Sequence, residues 1–346
     1  MCGVNVPHRV KVMTMRMYSV ANMGLHIACQ EEVLDTRVQR AVRNMLYLEG
    51  QVVCSAAPDI RLFFRHGGNS DEMRIPDNAR EIYSSPALRV STNDEISCVI
   101  AKGAYFHLDL VHGAGTAFIH ADFWDNPFKT IQECFVLSLL WLFHPHALYS
   151  IHANCLERDG MGIIFVGTSG SGKSTAGFSL IRRGWNYLSD DVNLIRSVQG
   201  EMEILAFQKG YSIDPDVVSH YPEIGAYLDA ASPNGRKRIL DMGVIYPEQF
   251  TCRTVPKMIL FPEIVSQENS ILAPIDRTMA LVRLVENSGG IMVNRAMAAA
   301  QMETLRRLVH QTDCYHLICG RDVLEHPEDL EKTLSPLLCS RPGVKR

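Results

Sequence analysis

Nothing in this chain restricts its fold more than nine consecutive residues, Gly167, Thr168, Ser169, Gly170, Ser171, Gly172, Lys173, Ser174 and Thr175. They satisfy the pattern GxxxxGK[ST], with an apolar strand-like run (IIFV) before them and a helix-forming stretch after, which is the setting such a loop requires. Glycines there let backbone N–H groups turn inward around phosphate oxygens, and the helix that follows adds the favourable end of its dipole. The loop is expected to hold a nucleoside triphosphate, ATP with Mg²⁺. Lys173 is expected on the β and γ phosphates and Ser174 on the metal.

At 346 residues and 47% hydrophobic content, the chain is large enough to divide into two compact units. From about Tyr18 to Ala121 it reads as short alternating or β-branched runs (MGLHIAC, RLFFRH, ALRVS, ISCVIA, YFHLDL, TAFIHA) separated by Gly, Asn, Asp and Pro clusters. That pattern predicts a β-rich first domain. A boundary near Ala121 to Pro127 gives 1–125 as the β-rich domain and 126–346 as the domain with the phosphate loop. The second opens with an apolar helix from about Thr130 to Phe143. Two strand-like runs follow, LYSIHANCLE and MGIIFVG, joined by Asp159 and Gly160, a turn that favours an antiparallel hairpin. Further on come a helix from Lys173 to Arg183, a short strand NYLS, a buried strand KMILFPEI, helices over 277–286 and 295–311, a strand CYHLICG and a terminal helix over 327–338. The mixture predicts an α/β fold.

Thirty-four basic residues against 38 acidic give a net charge of −4, so no global field draws the chain to nucleic acid or anionic lipid. The ten cysteines stand singly without CxxC pairs, and a chain this long needs no staples, so they read as reduced thiols. The first residues lack the apolar stretch of a signal peptide. The run CFVLSLLWLF is too short to span a bilayer. These readings predict a cytoplasmic protein with no membrane span and no nucleic-acid partner.

Asp190 and Asp191 follow a short apolar strand beyond the loop's helix, where one carboxylate can support the metal with Ser174 and the other can orient or deprotonate an attacking hydroxyl. His152, on the strand leading into the loop, can set an imidazole beside the transferred group; a packed histidine is the plainer alternative. His144 and His146 form an HxH pair without an evident third ligand and read as structural. Arg236 and Lys237, with Arg238, form a basic loop after Ser232-Pro-Asn-Gly235 that folds over the phosphates, grips an acidic substrate or is a solvated turn.

The stretch from His152 to Asp191, HANCLERDGMGIIFVGTSGSGKSTAGFSLIRRGWNYLSDD, resembles the catalytic core of HPr kinase/phosphorylase, which phosphorylates a serine on a small carrier protein. A histidine on the leading strand, the loop lysine and an aspartate of a DD pair fall at the family's separations in His152, Lys173 and Asp191. The resemblance implies a nucleotide domain like that of phosphoenolpyruvate carboxykinase, with Asp191 as the base toward the serine hydroxyl, and it implies an oligomer. It weakens after Asp191, where the glutamate-containing signature EIRGLGIIDV has no counterpart; Asp214, Asp216 and Glu223 are the available substitutes for the second metal ligand. Residues 1–125 do not resemble that family's regulatory domain.

Together these readings predict a serine kinase using ATP and Mg²⁺, with a small protein, peptide or small-molecule acceptor. The alternative is an ATP-binding regulator or scaffold that does not transfer the phosphoryl group.

Overall fold

Alternation of apolar and polar residues accounts for the first sheet. The computed structural model describes residues 14–20, 23–48, 59–68, 72–214, 218, 220–227, 238–288 and 295–339. In it eight strands, β1 (Thr14–Val20), β2 (Met23–Cys29), β3 (Ile60–His66), β4 (Arg80–Ser84), β5 (Leu88–Thr92), β6 (Ile96–Ala101), β7 (Ala104–Asp109) and β8 (Ala114–Ile119), pair in the order β1-β2-β3-β8-β7-β6-β5-β4. The β2–β3 and β3–β8 pairs are parallel and the rest antiparallel. Leu25, Ile27, Leu62, Phe64, Phe106 and Leu108 turn to a buried face. Helix α2 (Phe128–Phe143) lies on that face, stacking Phe135 on Phe64 with ring centroids 5.5 Å apart.

Helix α1 (Glu32–Met45) has no counterpart in the sequence expectation. Its signal was present: Leu34, Val38, Ala41, Val42 and Met45 are all buried, a 3.6-residue stripe, with Glu32 and Asp35 in the first turn and Arg43 in the last to match the helix dipole.

The second sheet joins β9 (Tyr149–Arg158), β10 (Met161–Val166), β11 (Asn186–Tyr187), β12 (Val192–Val198), β13 (Glu201–Ala206), β16 (Arg253–Ile264), β17 (Ile271–Pro274) and β18 (Asp313–Cys319) in the path β10-β9-β12-β13-β16-β18-β17, with β11 on β9 and β10 also on β16. Two short strands, β14 (Tyr211–Ile213) and β15 (Arg238–Leu240), pair apart from it. The expected hairpin is there: β9 and β10 run antiparallel, and Asp159 (φ 53°) and Gly160 (φ 79°) take the two left-handed positions that a tight hairpin turn demands. The structure is thus a mixed α/β fold with large sheets. By their contacts the residues group into Met1–Asn44 with Leu48–Pro145, and Met45–Tyr47 with His146–Arg346; α2 belongs to the first group.

Alternation along β9 and β10 sorts the core of the second unit. Ile163 and Phe165 face Ala176, Phe178 and Leu180 of α3 (Lys173–Ile181). Ile151, Ala153, Cys155, Ile164 and Val166 face the opposite layer, with Ala280 and Leu284 of α4 (Arg277–Glu286) and Leu305 and Leu308 of α5 (Arg295–Gln311). Helices on both faces place α3, and with it the phosphate loop, on one chosen side of the sheet. A last helix, α6 (Pro327–Cys339), closes that side through Leu330, Leu334 and Leu338.

Candidate functional site

The loop leaves β10 at Gly167 and becomes α3 at Lys173. Gly170 (φ 85°) and Gly172 (φ 100°) adopt left-handed conformations that L side chains rarely tolerate, and Gly172 is the helix N-cap. Lys173 is buried, and its Nζ donates to the carbonyls of Gly167 at 2.6 Å and Thr168 at 3.0 Å. An ammonium held by the loop's own carbonyls is stationed where phosphate oxygens can exchange for them. Among the described residues Ser171 Oγ is buried with no hydrogen-bond partner, and a Cβ on Gly167 would stand 2.6 Å from it. An orphaned hydroxyl inside a ring of glycines needs a polar occupant, and a phosphate fits that need.

Register places His152 beside the loop. The last β9–β10 pair is Ala153 with Val166, so His152 comes opposite the point where Gly167 begins. Positions two apart on a strand share a face, which puts His152 and Asn154 on the α3 side with Leu156. Between β11 and β12 the chain bends at Asp190 and Asp191 while staying paired with β9, through Ala153 N–H to the Asp191 carbonyl and Cys155 N–H to the Ser189 carbonyl, both 3.0 Å.

The two aspartates take different partners. Asp190 is 4% exposed; its Oδ1 accepts from Asn154 Nδ2 at 2.7 Å and its Oδ2 from the Ser212 N–H at 2.7 Å. The Ser174 side chain acts on it as a nearby donor that favours the charged form. Burial raises the pKa of Asp190; the donors Asn154, Ser212 and Ser174 counter that, and Asp191 adds to it. Asp191 Oδ1 lies 2.6 Å from His152 Nδ1, with both side chains nearly half exposed (42% and 45%). Gln208 Nε2 donates to Asp191 Oδ2 at 3.3 Å. One carboxylate is therefore buried against the loop helix, and its neighbour, paired with an imidazole, is open to an incoming molecule.

Sequence reasoning missed Asn154, Tyr211 and Gln208. Asn154 Nδ2 also donates to the Tyr211 hydroxyl at 2.8 Å, and that hydroxyl donates to the Ser174 carbonyl at 2.8 Å. Asn154 had a signal, its two-residue spacing from His152. Tyr211 had none.

Of the remaining candidates, Arg236, Lys237 and Asp216 lie outside the described residues. Arg238 opens β15. Glu223 is held by Arg182 at 2.5 Å, and Asp214 is exposed just beyond β14. His144 is buried next to Trp141, with ring centroids 5.8 Å apart. Among the described residues no group of three or more His, Cys, Asp or Glu could hold a metal ion. A Mg²⁺ supported by Ser174 and Asp190 does not require one, since Mg²⁺ keeps several waters and takes its other oxygens from substrate phosphates. Among those residues, too, no helix is long and apolar enough to cross a membrane.

With this geometry in hand, two curated relatives are informative. The HPr kinase/phosphorylase of Caldanaerobacter subterraneus is 33% identical over 75 residues, 22% of this chain and 22% of that protein. That of Chlorobium limicola is 34% identical over 82 residues, 24% and 22% of the two chains. Over those residues the chain is similar to HPr kinase/phosphorylase. HPr kinase similarity at this level covers a part only: the chain spans about a fifth of the length of the curated relatives it matches. The solved Hpr(Ser) kinase/phosphatase from Coxiella burnetii matches 34% of this chain and 59% of its own at 19% identity, with a TM-score of 0.22. No family model matches.

Proposed function

We propose that residues 126–346 form an HPr kinase-like, P-loop phosphotransferase domain, akin in fold to phosphoenolpyruvate carboxykinase, that moves the γ-phosphoryl group of ATP to a serine hydroxyl on a small protein, a peptide or a metabolite. One observation carries this reading: the bend at Asp190 and Asp191 buries one carboxylate against the β9 residue Asn154 and pairs its neighbour with His152 beside the loop.

Lys173 and the N–H groups of 167–175 hold the phosphates, and Asp190 orients the Ser174 hydroxyl toward the metal. Mg²⁺, when bound, neutralises developing charge on the phosphoryl oxygens. Asp191, oriented by His152 and Gln208, takes the proton from the acceptor serine. The new bond joins serine Oγ to the γ-phosphorus, the bond to the β-phosphate oxygen breaks, and ADP leaves. Arg236 and Lys237 are assigned to the nucleotide as basic groups, and the protein works in the cytoplasm as an oligomer.

The test is transfer of label from γ-labelled ATP to serine acceptors captured from a cell extract. Asp191→Asn is expected to lower turnover about 10²–10⁴-fold, the usual weight of a general base, while Mg-ATP still binds. Undiminished transfer by that variant would remove the base assignment. Tight Mg-ATP binding with no transfer to any partner would leave the regulator reading in its place, one to which the absent glutamate signature lends weight.

A further inference from the structure

The first sheet has a partly uncovered face of its own. Its core face is covered by α2, but among the described residues the opposite face is closed at one end only, where Met73 and Ile75 pack on Cys98, Tyr105 and Phe118. Beyond that plug lies a cavity of about 730 Å³, within the range of small-molecule sites. Register explains its wall: His26, Arg61, Ala114 and Asp109 form one cross-strand row, and Ala28, Phe63, Thr116 and His107 the next. Cross-strand neighbours sit close enough for their side chains to act together.

The charge on this wall is unbalanced. Arg61 is exposed, and among the described residues no side-chain hydrogen bond or ion pair engages its guanidinium. His26 Nε2 is shut off from solvent with no hydrogen-bond partner. His107 is half-buried, and burial lowers its pKa, so it offers one neutral N–H. The single acid, Asp109, is already engaged: it accepts from the Val111 and His112 N–H groups at 3.1 and 3.0 Å and contacts His112 Nδ1 at 2.8 Å. A planar guanidinium fork matches carboxylate and phosphate oxygens two at a time, and Phe63 supplies an apolar wall. We infer that this cavity binds a small organic anion, a carboxylate or phosphate ester of metabolite size, on Arg61, His26 and His107.

The experiment uses the full chain with ¹³C-labelled histidine and follows the His26 and His107 ring signals by NMR as inorganic phosphate or citrate is added. It is run on the wild type and on Lys173→Ala, which separates this cavity from the phosphate loop. Saturable shifts that persist in Lys173→Ala and weaken about tenfold or more in Arg61→Gln, the loss of a charge-assisted contact, support the site. A response to phosphate alone assigns phosphate esters, and one to citrate alone assigns carboxylates. Thr116→Leu, which fills the cavity without removing a charge, is expected to weaken binding as well. The absence of any saturable shift, or shifts unchanged by both Arg61→Gln and Thr116→Leu, overturns the inference.

Discussion

Asp190 and Asp191 show how neighbouring identical residues acquire different chemistry. Asp190 is surrounded by donors and closed from water, whereas Asp191 shares its charge with one imidazole and faces solvent. The pair, Lys173 and Ser174 were legible in the sequence because a phosphate loop prescribes their spacing. The residues that position them were not. Tyr211 comes from 57 positions beyond Asn154, and no local pattern announces which distant strand will close over a helix. Its hydroxyl nonetheless joins β9 to the first turn of α3. Tyr211→Phe removes a donor to the Ser174 carbonyl and an acceptor from Asn154, with both partners left in a dry interior. The expected loss is about 1–3 kcal/mol, read as a lower urea midpoint with unchanged slope, together with a weaker Mg²⁺ dependence of nucleotide binding.

At the scale of elements, six of the eight strands of the first sheet, the hairpin before the loop and helices α2 to α6 were readable from the sequence. Helix α1, strands β1, β4, β14, β15 and β17 and the β12–β13 hairpin went unread, although Gln199 and Gly200 (φ 50° and 94°) mark the turn of that hairpin; a Gln-Gly pair is a weaker signal than Asp-Gly. How tightly α3 meets β9 was also hidden. An alanine at Gly177 should favour the helix by about 1 kcal/mol on propensity. Its Cβ, however, would stand 2.3 Å from Asn154 Oδ1 and 2.7 Å from the Tyr211 hydroxyl, and such overpacking costs about 1–3 kcal/mol. Sterics win, so Gly177→Ala should unfold at lower urea and bind Mg-ATP more weakly. At the end of α2, burial lowers the His144 pKa to about 4 from an unfolded value near 6.5. Between those values the unfolded chain holds a proton that the folded chain does not, so stability falls as pH drops through the window, by at most about 1.4 kcal/mol per pH unit. Melting curves from pH 7 to 4.5 should be shallower in pH for His144→Phe than for the wild type.

For the whole molecule, the consequence is linkage between binding and folding. A ligand that binds only the folded chain stabilises it by RT ln(1 + [L]/Kd), about 2.7 kcal/mol at a hundredfold excess over Kd. The loop around Lys173 and the wall around Arg61 fall in different contact units, so each ligand has its own residue key. In calorimetry of the intact chain, Mg-ATP should raise the unfolding temperature, and Lys173→Ala should abolish that rise while sparing the rise caused by citrate or phosphate. Arg61→Gln should do the reverse. Because the two sites share no residue, the two ligands together should stabilise by about the sum of their separate effects. A shift with Mg-ATP that survives Lys173→Ala would place the nucleotide elsewhere on the chain, and the reading of the phosphate loop would fall with it.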